Sequence, residues 1–313
     1  MNSSALWRGR LLIIAAAVLW SLSGAFTKLL IFPDERLANA PLHTEGLGFN
    51  VPPINGLVMA FFRALFAGLL LVPAVRRRDI AFRPGIFLMA ACFAAMNASF
   101  VYAMAQGTAA NAIFLQYTAP VWLYLFGVYL FHEPTSRRQI ITLIIAMTGV
   151  AVIVADALFQ PTWDTLSVVL LALVSGITYA GVLQGLRLLR GYAGQWLTVV
   201  NHLAAALVLL PVLFFHPFPT WKQVGFLALF GIVQMGIPYL LMSRGLRTVS
   251  AQEAGTLTLL EPLLNPLWAY LAAGEVPETS TIIGGALILA ALMWQYWPRR
   301  GELARKDLEG EKS

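Results

Sequence analysis

Long apolar stretches alternate along the chain with short polar or basic joints. Ten stretches come near the roughly 20 residues that a helix needs to cross a bilayer: 11–32, 54–75, 85–105, 109–131, 139–155, 166–189, 195–215, 224–243, 251–273 and 281–296. The fifth and tenth are short, and almost nothing is left for a water-soluble domain. The pattern predicts an all-α membrane protein of ten transmembrane helices, multi-pass in the lipid bilayer.

Part of this pattern is written twice. Segments 109–141 and 251–283 align without a gap at an offset of 142 residues. Ala109/Ala251, Ala112/Ala254, Leu115/Leu257, Pro120/Pro262, Leu125/Leu267, Glu133/Glu275, Ile140/Ile282 and Ile141/Ile283 are identical pairs. Matched alanines and leucines mean little in so apolar a chain, and the paired proline and glutamate at equal spacing carry the weight. Trp20 and Lys28 of the first span correspond to Tyr179 and Arg187 of the sixth, and Leu65, Ala67, Leu69, Leu71 and Pro73 to Leu203, Ala205, Leu207, Leu209 and Pro211. That register sets Arg63 opposite Asn201. Each half holds an odd number of spans, so the halves, 1–155 and 156–297, are expected as inverted five-helix repeats. Inverted repeats with interrupted helices are how many secondary transporters build a central site. The hinge falls at 156–164, and the charged tail 298–313 is expected to be disordered or to lie on the headgroups.

Composition agrees: 59% hydrophobic and 12% charged residues, with mean hydropathy +0.74, exclude an ordinary water-soluble protein. Charge then sets orientation. With the N-terminus inside, 17 of the 21 Lys and Arg fall on the cytoplasmic side, while only Arg36 and Lys222 fall in outside loops and Lys28 and Arg63 lie within spans. This asymmetry predicts an N-in/C-in protein. The pI near 9.7 therefore reports topology and not a nucleic-acid partner. Arg8 and Arg10 before the first span, with Ala38-Asn39-Ala40 after it, imitate a signal peptide, but the apolar run is too long and the span is expected to be retained. The single cysteine, Cys92, rules out an intrachain disulfide and a cysteine metal cluster, and no cofactor or metal is expected. Asn97-Ala98-Ser99 fits a glycosylation pattern at mid-span, where no transferase reaches it. Small residues at 90, 91, 94, 95 and 98 and the pair Gly181 and Gly185 suit helix packing, and leave a homodimer open.

With ten spans, paired halves and a Pro…Glu pattern closing the fourth and ninth spans, the chain resembles the drug/metabolite transporter superfamily, EamA type. The stretches that carry the likeness are Phe62-Arg63-Ala64-Leu65-Phe66, Gln116-Tyr117-Thr118-Ala119-Pro120 through Phe131-His132-Glu133-Pro134, and Leu260-Glu261-Pro262 through Gly274-Glu275-Val276-Pro277. Trp20 and Lys28 also look like that family's first-helix aromatic and basic positions. The resemblance spans about residues 10–297. It implies a secondary transporter of the bacterial inner (plasma) membrane, often an exporter of amino acids or related metabolites. The outside loop 33–53 is longer than is usual in the family.

Ionisable groups at membrane depth cost about 2.5–3.5 kcal/mol on insertion scales and are functional suspects by default. Arg63 suits a carboxylate or other anionic group facing a central cavity; its plainer reading is an anchor for carbonyls freed near Pro120 or Pro262. Lys28 lies near the outer end of its span, within snorkelling reach of the headgroups. Glu261, the lone deep carboxylate, is the candidate for proton coupling; its plainer reading is a partner that neutralises Arg63. Pro120, Pro262 and Pro266 are expected to break their helices and free carbonyls toward a polar cavity. Trp20, Asn97, Gln116, Tyr117, Asn201, Tyr239 and Asn265 are the further candidates for a solute path, with Trp122 and Trp268 as aromatic walls. Glu133 and Glu275 each end a helix, where capping and dipole stabilisation are the expected roles. His202 reads as a packing histidine. The fifth and tenth spans, poor in polar residues, are expected at the periphery.

His43, His132, His202 and His216 are scattered, and no HExxH, G-x-S-x-G or Walker sequence occurs, so neither an enzyme nor an ATP-driven pump is indicated. The expected function is secondary active export of small metabolites by alternating access, with protons as candidate partners. An importer of a vitamin- or nucleoside-like solute is the alternative, and a membrane scaffold or an intramembrane enzyme is the alternative of another class.

Overall fold

The computed structural model describes residues 3–134, 136–159 and 163–296, so the tail and the middle of the hinge lie outside the described residues. Among these residues the regular structure is helical throughout. The helices are α1 (Ser3–Ser21), α2 (Ser23–Leu29), α3 (Asp34–Ala38), α4 (Gly56–Leu71), α5 (Pro84–Gln106), α6 (Ala109–Gln116), α7 (Ala119–Phe131), α8 (Arg137–Phe159), α9 (Trp163–Leu188), α10 (Gly194–Leu209), α11 (Trp221–Leu229), α12 (Ile237–Gly245), α13 (Ala251–Thr258), α14 (Leu260–Ala273) and α15 (Thr279–Tyr296). A π-helical stretch, Phe230–Gly236, joins α11 to α12.

Nine helical stretches among the described residues are long and apolar enough to cross a membrane. The ninth apolar stretch of the sequence, 251–273, is not among them; it is divided into α13 and α14 and carries Glu253, Glu261 and Asn265. The helix boundaries follow from side chains that supply partners to otherwise unpaired backbone groups. Asn55 caps α4 at Leu57 N, Thr220 and Gln223 form a capping box on α11, and Pro84 opens α5 where no donor is needed.

The segments at offset 142 agree down to their caps. Thr108 accepts from Asn111 N at 3.1 Å to start α6, and Ser250 accepts from Glu253 N at 3.2 Å to start α13. The helices pause at Tyr117–Thr118 and at Leu259, then restart as α7 and α14. They end on residues in the left-handed region, His132 (φ 53°) and Gly274 (φ 62°). There Glu133 N reaches Gly127 O at 3.0 Å and Glu275 N reaches Ala269 O at 3.4 Å, the same backbone closure at both helix C-termini.

Small residues bring the helices together. A Cβ on Gly149 of α8 would lie 2.5 Å from Gly284 O of α15, and one on Gly284 the same distance from Gly149 O. Gly181 and Gly185 of α9 face Cys92 and Met89 of α5, so that pair is used inside the bundle. Large apolar side chains such as Ile144, Leu170, Leu207 and Phe214 are exposed on the outside, as a lipid-facing surface requires. The loop 33–53 is fastened at both of its neighbours. Leu42 N and Thr44 Oγ1 donate to Leu271 O (3.0 Å) and Ala272 O (2.6 Å) at the end of α14. Gln223 at the start of α11 donates to Phe49 O and Pro52 O.

Candidate functional site

The site is built around the two helix pauses. Pro120 and Pro262 stand in the first turns of α7 and α14, where a missing N–H costs nothing, so each interruption lies upstream of its proline. Pro266 corrects the expectation more fully: it lies inside α14, which runs on through it to Ala273. The one carbonyl left without its helical donor there is near the helix start, and packing of α14 against α2 and α1 holds the turn. Tyr117, at the first pause, bridges to the second: its hydroxyl oxygen lies 3.0 Å from Thr258 O and 2.8 Å from Glu261 Oε2. A phenol has one proton. It satisfies one of these acceptors when Glu261 is ionised, and both contacts are hydrogen bonds only when Glu261 is protonated and donates back.

Arg63 of α4 is buried, and its Nε and Nη2 donate to Asn97 Oδ1 at 3.2 and 2.6 Å. Its Nη1 reaches Gln234 Oε1 at 3.4 Å, while the guanidinium carbon lies 5.7 and 5.5 Å from the ring centres of Phe100 and Phe230. Three of its five N–H groups thus have partners among the described residues. Asn97 is itself fixed by donating to Ala60 O, and Gln234 by donating to Trp20 O. Arg63 therefore bonds to α5 and to the π-helical stretch, and not to carbonyls freed beside Pro120 or Pro262. Gly231 makes this possible: a Cβ there would lie 2.6 Å from Arg63 O, and the wider π turn sets Gln234 toward the guanidinium.

A cavity of about 380 Å³ lies against these groups. Of the candidates, Trp20, Arg63, Gln116, Tyr117, Pro120, Asn201, Tyr239 and Glu261 line it. Asn97 stands behind Arg63 instead, and Asn265 donates to Ser23 Oγ across the α14–α2 contact. Trp122 and Trp268 are likewise off the cavity wall, their indole N–H groups bonded to Thr118 Oγ1 and Ser21 Oγ. His202 packs between Phe93 and Tyr239 with Nδ1 at Thr198 O. Arg63 and Glu261 share the cavity but do not form an ion pair with each other. Asn201, the sequence counterpart of Arg63, also lines the cavity, with Oδ1 unpartnered among the described residues.

Residues 48–155 and 166–297 each match the EamA-like transporter family. The chain belongs to that family. An Archaeoglobus fulgidus protein described as an uncharacterized transporter is 29% identical over 236 residues, 74% of this chain and 84% of that one. The pseudopaline exporter CntI of Pseudomonas aeruginosa is 25% identical over 240 residues, 74% of this chain and 83% of its own. Bacillus subtilis YwfM, an uncharacterized transporter, is 25% identical over 262 residues, covering 80% and 88%. A protein of known crystal structure superposes with TM-score 0.56 at 17% identity, covering 94% of this chain and 97% of its own, a likeness of fold. The EamA-family chain is thus a multi-pass integral membrane protein and a membrane transporter.

Two features of the site escaped sequence reasoning. Gln234 holds Arg63, and the only trace of it is a glutamine between Gly231 and Gly236 in an otherwise apolar span. The aromatic lining from Phe93, Phe100, Tyr179 and Tyr296 is indistinguishable in sequence from ordinary packing. The tenth span also departs from expectation. It packs along α8 through Gly284, yet Leu292 and Tyr296 near its end reach the cavity.

Proposed function

We propose that this protein is a secondary active exporter of small amino-acid-like metabolites, working by alternating access with proton coupling through Glu261. The observation that carries the reading is the unpaired sharing of one cavity by Arg63 and Glu261. A zwitterion offers a carboxylate to the free N–H groups of Arg63 and an ammonium to Glu261, satisfying both charges at once where neither protein group satisfies the other. Proton coupling follows from the Tyr117 hydroxyl. Protonation of Glu261 adds a hydrogen bond between the pauses of the two halves, and ionisation removes it, so the proton and the relation between the halves are linked. The name of CntI, an exporter, supports the outward direction, and its 25% identity leaves the cargo open.

In this reading the chain makes ten crossings, α13 and α14 together forming the ninth. The halves 1–155 and 156–297 are inverted repeats, and both termini face the cytoplasm of an inner-membrane protein. The test is a solute screen in proteoliposomes with and without a pH gradient, run on the native chain and on Glu261→Gln. The native chain is expected to move an amino-acid-like solute faster with the gradient. The Gln variant, which mimics the neutral acid in size, is expected to lose gradient-driven movement while retaining solute exchange. Unchanged gradient-driven accumulation by the variant would falsify the coupling.

A further inference from the structure

Away from the central cavity, two ion pairs occupy equivalent places. Lys28 Nζ lies 2.7 Å from Glu275 Oε2, and Arg187 Nη2 lies 2.8 Å from Glu133 Oε1. Lys28 and Arg187 correspond between the first and sixth spans, and Glu133 and Glu275 between the fourth and ninth. Each pair therefore joins the end of one half's first span to the glutamate that closes the other half's fourth. Glu275 also accepts from Ala109 N at 2.6 Å, at the start of a span that ends next to Glu133. The 23 residues of that span place the two pairs at opposite ends of the bundle, roughly 34 Å apart at 1.5 Å per residue.

Their surroundings differ. The Lys28 and Glu275 side chains are 1% and 3% exposed, and Lys28 Nζ also donates to Gly107 O at 2.5 Å. The pair thereby clasps the turn between α5 and α6. The Arg187 and Glu133 side chains are 54% and 39% exposed and line a second cavity of about 240 Å³. Leu186, Leu246 and Tyr296, which line the central cavity, lie toward this same end.

We propose that these pairs are the two end gates of the transport cycle, each buried when its end is shut and wetted when its end is open. The structure is then the form closed at Lys28 and open at Arg187, the cytoplasmic end in the proposed orientation. This rests on the alternating-access reading. An intact pair can pass between buried and wet states without stranding either charge, which is what a gate that reopens requires.

The experiment measures reaction of Leu246→Cys with a water-soluble maleimide in open membrane fragments, in a Cys92→Ala background. Leu246 is 45% exposed and lines the cavity at the Arg187 end. Burial strengthens the attraction within a pair that water otherwise screens, so Arg187→Gln with Glu133→Gln is expected to weaken the shut form of this end and raise labelling, on the order of threefold where both states are populated. Lys28→Met with Glu275→Gln removes the opposite gate without leaving a lone buried charge, and labelling is expected to fall. Labelling that moves the same way in both variants, or in neither, overturns the gates. If the buried-pair variant does not fold, the exposed-pair variant decides alone, and unchanged labelling there rejects the proposal. The readout needs no solute. Opposed shifts with an empty solute screen would therefore sink the export reading and spare the gates, and solute movement with unmoved labelling does the reverse.

Discussion

Arg63 shows how much a single side chain depends on its shape. Asn97 and Gln234 hold two edges of a planar fork, and a lysine ammonium cannot span both while still presenting a donor to the cavity. Arg63→Lys is therefore expected to keep the protein folded and to lower solute uptake into proteoliposomes at least about tenfold, the scale of one charged hydrogen bond at roughly 1.5–3 kcal/mol. Tyr117→Phe strips the hydroxyl from Thr258 O and Glu261 together, so it should reduce gradient-driven transport more than solute exchange when both are measured on the same vesicles. At Glu275 the issue is stability. Neutralising it alone strands Lys28 in a buried site at a cost of about 3–5 kcal/mol, whereas Lys28→Met with Glu275→Gln avoids that charge. Thermal unfolding in detergent should rank the double variant above Glu275→Gln alone. Arg63 and Glu261 were legible in the sequence because a charge in an apolar span is conspicuous. Asn97, Gln234 and the aromatic wall were not separable by role, because an amide or a ring in such a span suits a cavity and a packed interface equally well.

Among the elements, the broken helices α6–α7 and α13–α14 were the most legible. The repeated Pro…Glu spacing located both, and the caps at Thr108 and Ser250 and the left-handed His132 and Gly274 keep the same offset. The position of each pause was not legible, since proline is tolerated in a first turn and so marks a restart as readily as a break. The placement of α15 was also missed: its sequence is as apolar as that of α8, and only the tertiary arrangement carries Tyr296 to the cavity. The α8–α15 contact gives a clean test of packing. A side chain at Gly149 meets a backbone oxygen of Gly284 that has no flexible end to yield. Gly149→Val should cost about 1–3 kcal/mol by overpacking, read as a lowered midpoint of thermal unfolding. Gly225, which has open space around it, should tolerate Ala at that same readout.

Over the whole molecule, the distribution of exposed apolar residues and the basic bias toward one set of joints were visible at once, because composition and hydropathy average over many residues. The loop 33–53 stood out only by its length. In the structure it reaches from the end of α14 to the start of α11, held by Leu42, Thr44 and Gln223. That strap lies over helices belonging to the half opposite its own, at the end where Lys28 is buried. In the proposed orientation it is therefore a handle on the protein from outside the cell. An antibody fragment raised against the strap in this conformation would withdraw molecules from the cycle without competing for the cavity. Such a reagent should depress the maximal rate and leave the half-saturating solute concentration where it was.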